Sequence, residues 1–148
     1  MSRDNIGEFQ LKLSGLRVLP GAHNYEASAA GEGRIAGIEV FAIFTHVSQI
    51  LPDGSEIATS DGFLRAKEGC DTAFVQLIGG FRCEREGRPG GAQHWQGAAA
   101  IKSESPRFME LNGRVFWLEI RFDPQAGTSH HRWYALRAGW DDGGDDGS

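Results

Sequence analysis

The sequence has few cysteines, two in 148 residues, and no apolar run of membrane-helix length. A membrane-spanning helix needs about 20 consecutive apolar residues, so no insertion into a bilayer is expected. Cys70 and Cys83 would lie at opposite ends of one extended segment, roughly 40 Å apart at about 3.3 Å per residue. Because a disulfide requires Cα atoms within about 7 Å, both thiols are expected to stay reduced. Their spacing also differs from the CxxC pattern of redox and metal sites.

The chain also lacks an excess of positive charge, since its formal net charge is −5. Four negative charges lie in the terminal run DDGGDDGS, so the rest of the chain is nearly neutral. A nearly neutral body offers no cation cluster for a phosphate backbone, and nucleic acid is not an expected partner. The terminal run cannot bury apolar area, which predicts a disordered acidic tail over 141–148 behind one domain over 1–140. The first ten residues lack a secretory signal pattern, so a cytoplasmic location is expected.

Several catalytic and cofactor motifs are missing. There is no G-x-S-x-G nucleophile elbow and no P-loop, and the glycine run over 31–37 misses dinucleotide-binding spacing by one residue. His130 and His131 are adjacent, so a strand would direct them to opposite faces. The other three histidines are isolated in the sequence. The sequence therefore predicts neither a metal site nor a cofactor.

The 21 glycines and the evenly spaced turns indicate many short strands. The predicted strands cover residues 9–19, 25–30, 34–50, 57–67, 73–84, 92–102, 114–122 and 130–137. Residues 103–113 are predicted to form a loop with a helical turn. About eight antiparallel strands with little helix favour an all-β, closed or nearly closed barrel, with an open sandwich as the alternative.

Two predicted strands are apolar on both faces. In the first, over 34–50, Phe41 and Ile43 alternate with Val40 and Phe44, and the strand over 73–84 has the same character. Strands of this kind are typically buried on both sides. In a barrel this requires an outer covering segment or a subunit interface, and a homo-oligomer is the expected partner arrangement.

Polar residues within apolar strands are the candidates for a functional site. They are Glu39, Gln76, His94, Gln96 and Glu119. A buried, unpaired charge at Glu39 would be costly, so the carboxylate should pair with an arginine or a ligand. His94 and Gln96 share a face with small alanines that would leave space in a lumen, whereas Glu119 could instead face water. Trp95, on the other face, could supply packing or an aromatic wall for a ligand.

The order of turn residues resembles a family of small prokaryotic proteins associated with calycin or allene-oxide-cyclase-like barrels. The resemblance covers about three-fifths of the chain and rests on Gly31-Glu32-Gly33, Gly37, Pro52-Asp53-Gly54, Gly62, His94-Trp95-Gln96-Gly97, Ser105-Pro106, Leu111-Asn112-Gly113, Glu119 and Asp123. It implies a barrel with an internal cavity for a small apolar molecule. Fold analogy alone does not determine function.

Three functions are consistent with this pattern. The first is a cofactor-independent isomerase or cyclase, in which Glu39 or His94 moves a proton while Gln76 or Gln96 orients the substrate. The second is a lipocalin-like carrier in which the polar residues only orient a ligand. The third is an oligomeric interaction module that uses the two-sided strands.

Overall fold

The computed structural model describes residues 3–21, 23–83 and 91–136, which form a closed barrel of eight antiparallel strands. The strands are β1 (Arg3–Val18), β2 (Asn24–Ile35), β3 (Ile38–Ile50), β4 (Glu56–Ala66), β5 (Thr72–Phe81), β6 (Gln93–Lys102), β7 (Val115–Asp123) and β8 (Thr128–Leu136). Each strand pairs with the next in the chain, and β8 pairs with β1 to close the barrel. The barrel prediction is confirmed. The predicted acidic tail lies outside the described residues.

The hydrophobic core lies inside the barrel because alternate residues of each strand point inward. The largest buried side chains are Phe9, Phe44, Phe108, Phe116 and Trp133. The neighbouring strands make room for them with glycine. A Cβ at Gly33 would lie 2.5 Å from the Phe9 ring, and one at Gly62 would lie 2.4 Å from the Phe44 ring. These glycines therefore allow two large rings to occupy the middle of a narrow barrel.

The β2–β3 hairpin turns at a different place from the one predicted. The sequence prediction divided the strands at the glycines over 31–33, but β2 continues through them to Ile35. The turn is made by Ala36 and Gly37, whose φ angles are 48° and 78°. A two-residue turn with positive φ at both positions suits the twist of a hairpin, and it pairs Ile35 with Ile38.

The prediction that two strands are buried on both faces is wrong for the single chain. On the outer surface of β3, Phe41 and Ile43 are 48% and 53% exposed. On β5, Phe74 and Ile78 are likewise exposed. The opposite residues of both strands fill the interior, so the apolar outer face has no covering segment among the described residues.

Two glycine positions differ in their effect on strand pairing. The β1–β2 pairing has a register shift between Leu13 and Gly15. Gly79 and Gly80, in contrast, pair in unbroken register with β4 and β6. Both cysteines are free and exposed.

One end of the barrel is closed by the connection between β6 and β7. A single 3₁₀ turn (Met109–Leu111) confirms the predicted helical turn, and it brings Phe108 and Leu111 into the core. The Asn112 side chain holds this connection by two 2.8 Å hydrogen bonds to the backbone of Ser103. Among the described residues there is no helix of the length and apolar character needed to cross a membrane.

Candidate functional site

Polar side chains collect inside the barrel toward the end opposite the 3₁₀ turn. This end carries the β1–β2, β3–β4, β5–β6 and β7–β8 connections. The set, called here the interior polar cluster, comprises Tyr25, His46, Ser48, Glu56, Ser60 and His131. Its members come from β2, β3, β4 and β8, and each lies on the inward, buried or half-buried alternation of its strand.

Glu56, the first residue of β4, is the acidic member of the cluster and is 9% exposed. Its Oε1 accepts a hydrogen bond from the Tyr25 hydroxyl and a second, 3.2 Å bond from the Ser48 hydroxyl. Tyr25 and Ser48 face each other across β2 and β3, so strand pairing brings the two donors together. Burial, together with the bond to Glu56, raises the pKa of Tyr25 to about 12. The phenol therefore stays protonated and donates to the carboxylate.

His46 and Ser60 are direct neighbours across the β3–β4 pair and both point inward. Burial lowers the pKa of His46, which favours its neutral form. Its ring lies parallel to that of Phe44, with centroids 6.4 Å apart. The Ser60 hydroxyl is fully buried and has no hydrogen-bond partner within the described part of the chain.

His131 lies deeper, on β8, and is 1% exposed. Burial, assisted by the nearby His46 and His130, lowers its pKa to about 3, so the ring is neutral at physiological pH. Nε2 lies 3.4 Å from the Ser129 hydroxyl, whereas Nδ1 has no partner among residues 3–21, 23–83 and 91–136. As predicted for adjacent strand residues, His130 points outward, where its Nε2 is 3.7 Å from Glu8.

An aromatic layer separates this cluster from the end of the barrel that the β6–β7 connection closes. The rings of Phe9, Phe44 and Trp133 have centroids 5.2 to 6.5 Å apart. The His131 ring packs on this layer, 5.7 Å from Phe44. The cluster therefore has an apolar base, and its polar atoms lie between that base and the open end.

A cleft of about 1050 Å³ opens at the same end of the barrel. It is lined by Leu51, Asp53, Gly54, Ser55, Glu56, Ile57, Gly80, Phe81, Arg82, Cys83, Gly91, Ala92, Gln93, His94, Gln96 and Pro124. Phe81 provides an aromatic wall and stacks on Trp95, with ring centroids 5.6 Å apart. Glu56 belongs both to the cleft and to the interior polar cluster. It connects the surface opening to the buried polar groups.

The residues predicted to be catalytic lie elsewhere. Glu39 is exposed on the outer surface of β3, so the expectation that its carboxylate is buried is wrong. It is paired in register with Arg34, and its charge raises the pKa of Lys67 only as a minor effect beside that of Glu32. His94 is exposed on the outer face of β6, although it does line the cleft. The structure does not bring Glu39 and His94 to one site.

The predicted ligand-binding residues are divided between the two faces. Gln76 and Gln96 are exposed outside the barrel, and Glu119 is half-buried beside Gln96 across the β6–β7 pair. The alanine-lined face of β6, expected to line the lumen, is the outer face. Trp95 lies on the inward face instead. Gln96 reaches the cleft, whereas Gln76 and Glu119 do not line it.

Sequence reasoning missed every member of the interior polar cluster. Their separation along the chain is large, and the neighbouring residues of each are unremarkable turn or strand residues. The one available indication was a polar residue on the inward alternation of a strand, such as Ser60 in ATSDG. That indication becomes useful only when the inward face is known.

Comparison with known proteins supports the fold and adds no function. No family model matches the chain, and no curated protein matches it. Three solved structures are similar over 92% of this chain. They are a protein of unknown function from Clostridium acetobutylicum (TM-score 0.77, 9% identity, 99% of that chain), a conserved protein of unknown function from Rhodopseudomonas palustris (0.77, 10%, 97%) and a beta-barrel like protein from Acinetobacter baumannii (0.76, 13%, 96%). At these identities the likeness shows the barrel fold alone.

Proposed function

We propose that the protein binds a small, largely apolar molecule at the open end of its barrel. The observation that carries this proposal is the group of buried polar atoms without partners above an aromatic base. Ser60 Oγ and His131 Nδ1 make no hydrogen bond within the described chain. A buried polar group without a partner costs free energy, so such groups are expected to meet a ligand or ordered water.

The composition of the site indicates the kind of ligand. Small-molecule sites are concave and mostly apolar, with a few polar groups that orient the ligand. Phe81 and the aromatic base supply apolar surface, while neutral imidazoles and hydroxyls supply hydrogen bonds. An eight-stranded barrel has room for one small ligand at most. The resemblance to calycin and allene-oxide-cyclase-like barrels is compatible with this proposal.

An enzymatic version of this proposal is a cofactor-independent isomerase or cyclase that converts the bound molecule. The Glu56 carboxylate favours it, because a carboxylate that lines the cleft and is held in place by Tyr25 and Ser48 is positioned to accept a proton from a bound ligand. A carrier would use the same groups only to orient its ligand. The two differ in turnover: an enzyme converts a bound ligand, and a carrier returns it unchanged.

Native mass spectrometry of protein purified from its own host, followed by organic extraction, tests for a retained molecule. Titration with apolar ligands, followed by tryptophan fluorescence, then measures affinity. Ala58 points into the barrel from β4, so Ala58→Trp would fill the interior near the open end and should abolish binding. Thr59→Trp, next to it on the outer face, should not. Equal binding by both variants would place the ligand outside the barrel, and the absence of any ligand would contradict the proposal.

A homo-oligomer is a second candidate function, favoured by the outer surface of β3, β4 and β5. Ile43, Phe63 and Phe74 form one row across these strands, and the two rings lie 5.5 Å apart. Ile78 extends the exposed apolar surface along β5. Contiguous apolar surface of this kind is typical of protein interfaces. We propose a second copy of the chain as the partner, because the face is a regular antiparallel sheet able to pack on itself about a two-fold axis.

A further inference from the structure

The Glu56 carboxylate has one oxygen that remains available to a ligand. Both of its hydrogen bonds, from Tyr25 and Ser48, end on Oε1. No described residue donates to Oε2. Glu56 also lines the open cleft, so this side chain lies at the junction of the cleft and the interior. Two hydroxyl donors therefore hold the carboxylate in place without using its full capacity to accept hydrogen bonds.

The charge of Glu56 is also not matched by a cation from residues 3–21, 23–83 or 91–136. Within the described residues, none of the ion pairs with N···O distances up to 4.0 Å involves Glu56. Among the described residues that line the cleft there is one guanidinium, that of Arg82, whose charge acts on Asp53. His94, also in the cleft, is exposed on the outer face. A nearly buried carboxylate with only hydroxyl partners is costly, and an incoming cation would offset that cost.

Phe81 adds a second element of recognition. Its ring lines the cleft and is stacked on Trp95, which holds it as a flat apolar wall. A ligand whose charged group reached Glu56 would lay its next atoms against this wall. The Glu56 carboxylate therefore lies beside apolar surface, the arrangement expected for an amphiphilic cation.

We infer that the cleft recognises a primary ammonium group, bound by Glu56 Oε2, on a molecule whose apolar part packs against Phe81. This inference rests on the proposed function and specifies the ligand class. Tyr25 and Ser48 act as positioning residues for the carboxylate. Neutral His46 and His131 add no positive charge that would repel the ligand.

Three probes of equal chain length separate this inference from simple apolar binding: octylamine, octanol and octanoate, each titrated calorimetrically against the full chain. We expect octylamine to bind at least about tenfold more tightly than octanol, because hydrogen bonds to a charged group are the stronger ones. Octanoate should bind more weakly than octanol. Equal affinities for all three would overturn the ammonium site and leave apolar binding intact, whereas no binding of any probe would contradict the proposed function itself.

Substitution then locates the charge. Glu56→Gln keeps an oxygen to accept from Tyr25 and Ser48 but removes the anion, and should reduce octylamine affinity to that of octanol. Asp53→Asn is the matched control, since it neutralises the other carboxylate of the cleft and keeps an acceptor for the Ser55 amide. Loss of octylamine binding in Asp53→Asn alone would place the ammonium at Asp53 and overturn the assignment. If Glu56→Gln does not fold, the affinities of octylamine and octanol for the wild-type protein still test whether the cleft prefers an ammonium group.

Discussion

Individual residues of the barrel are under local constraints that substitution can expose. The interior contains two histidines held neutral by burial, and the β2–β3 turn contains an alanine in the left-handed region. A buried histidine and an alanine with positive φ each reduce the free energy of unfolding through a single side chain. Each can therefore be tested by a single change with a predictable sign.

Ala36→Asn should stabilise the protein by about 0.5–1 kcal/mol. A non-glycine residue with φ of 48° is disfavoured, whereas Asn accepts this conformation and Asn-Gly is the preferred pair for such a turn. Urea unfolding followed by circular dichroism measures the change. Ala36→Val is the opposite control and should destabilise. An unchanged midpoint for both variants would show that this turn is not strained.

His131 should make the protein sensitive to acid. Its pKa is about 3 when folded and near 6.5 when unfolded, so the unfolded chain binds the extra proton first. The stability that His131 contributes is complete above about pH 6.5. It falls by about 1.4 kcal/mol for each pH unit below that value, until the pH nears 3.

His131→Phe removes the titrating group and retains an aromatic side chain beside Phe9 and Phe44. Urea unfolding at pH 7 and pH 5 should show a smaller loss of stability in this variant than in the wild type. His130→Phe, on the outer face, is the control. An identical acid dependence in wild type and His131→Phe would mean that other groups cause it.

At the scale of elements, the close approach of neighbouring strands depends on inward glycines. Gly97 on β6 faces Gly79 on β5, and a Cβ at Gly97 would lie 2.4 Å from the Ile78 carbonyl oxygen. A backbone atom cannot move aside as the end of a side chain can. The β5–β6 pairing would therefore have to shift to accept any larger residue.

Gly97→Ala should destabilise the barrel by about 1–3 kcal/mol, the usual cost of overpacking. Gly15→Ala provides the comparison, because an added Cβ there meets nothing within 4 Å. It should change stability by less than about 0.5 kcal/mol. Thermal unfolding of both variants measures the difference. Equal effects would show that strand spacing does not depend on Gly97.

At the scale of the whole molecule, the two apolar regions of the barrel have different consequences. The hydrophobic core is buried inside the barrel, whereas the outer face around Phe74 is exposed. Exposed apolar surface favours association, so the second-copy proposal concerns the oligomeric state and not the fold. A surface substitution can therefore change the oligomeric state without changing the fold.

Sedimentation velocity should show a dimer at micromolar concentration for the wild type. The double variant Ile43→Ser, Phe74→Ser should be monomeric with an unchanged circular dichroism spectrum, since both side chains point outward. Val18→Ser, on the exposed end of β1, should remain dimeric. A monomeric wild type at all concentrations would refute the proposed interface.

Most of the strands were predictable because their information is local. Turn residues such as Pro52-Asp53-Gly54 and the alternation of β7 indicate the elements without reference to the rest of the chain. The β2–β3 boundary was misplaced because Ala36 is not a typical residue for positive φ. The glycines at 31 and 33, which looked like a turn, instead lie where a Cβ would be within 2.0 Å and 2.3 Å of the β1 backbone.

The sequence by itself determined that the chain forms about eight antiparallel strands, since alternation and turn chemistry act over a few residues. Only the tertiary structure decided which face of each strand lies inside. Where both faces are apolar, as with Phe41 and Phe44 on β3, a period of two does not distinguish them. The alternation of β6 likewise did not show that Trp95 points inward and His94 outward. The interior polar cluster exists because barrel closure joins residues from distant strands, and no local pattern encodes that closure.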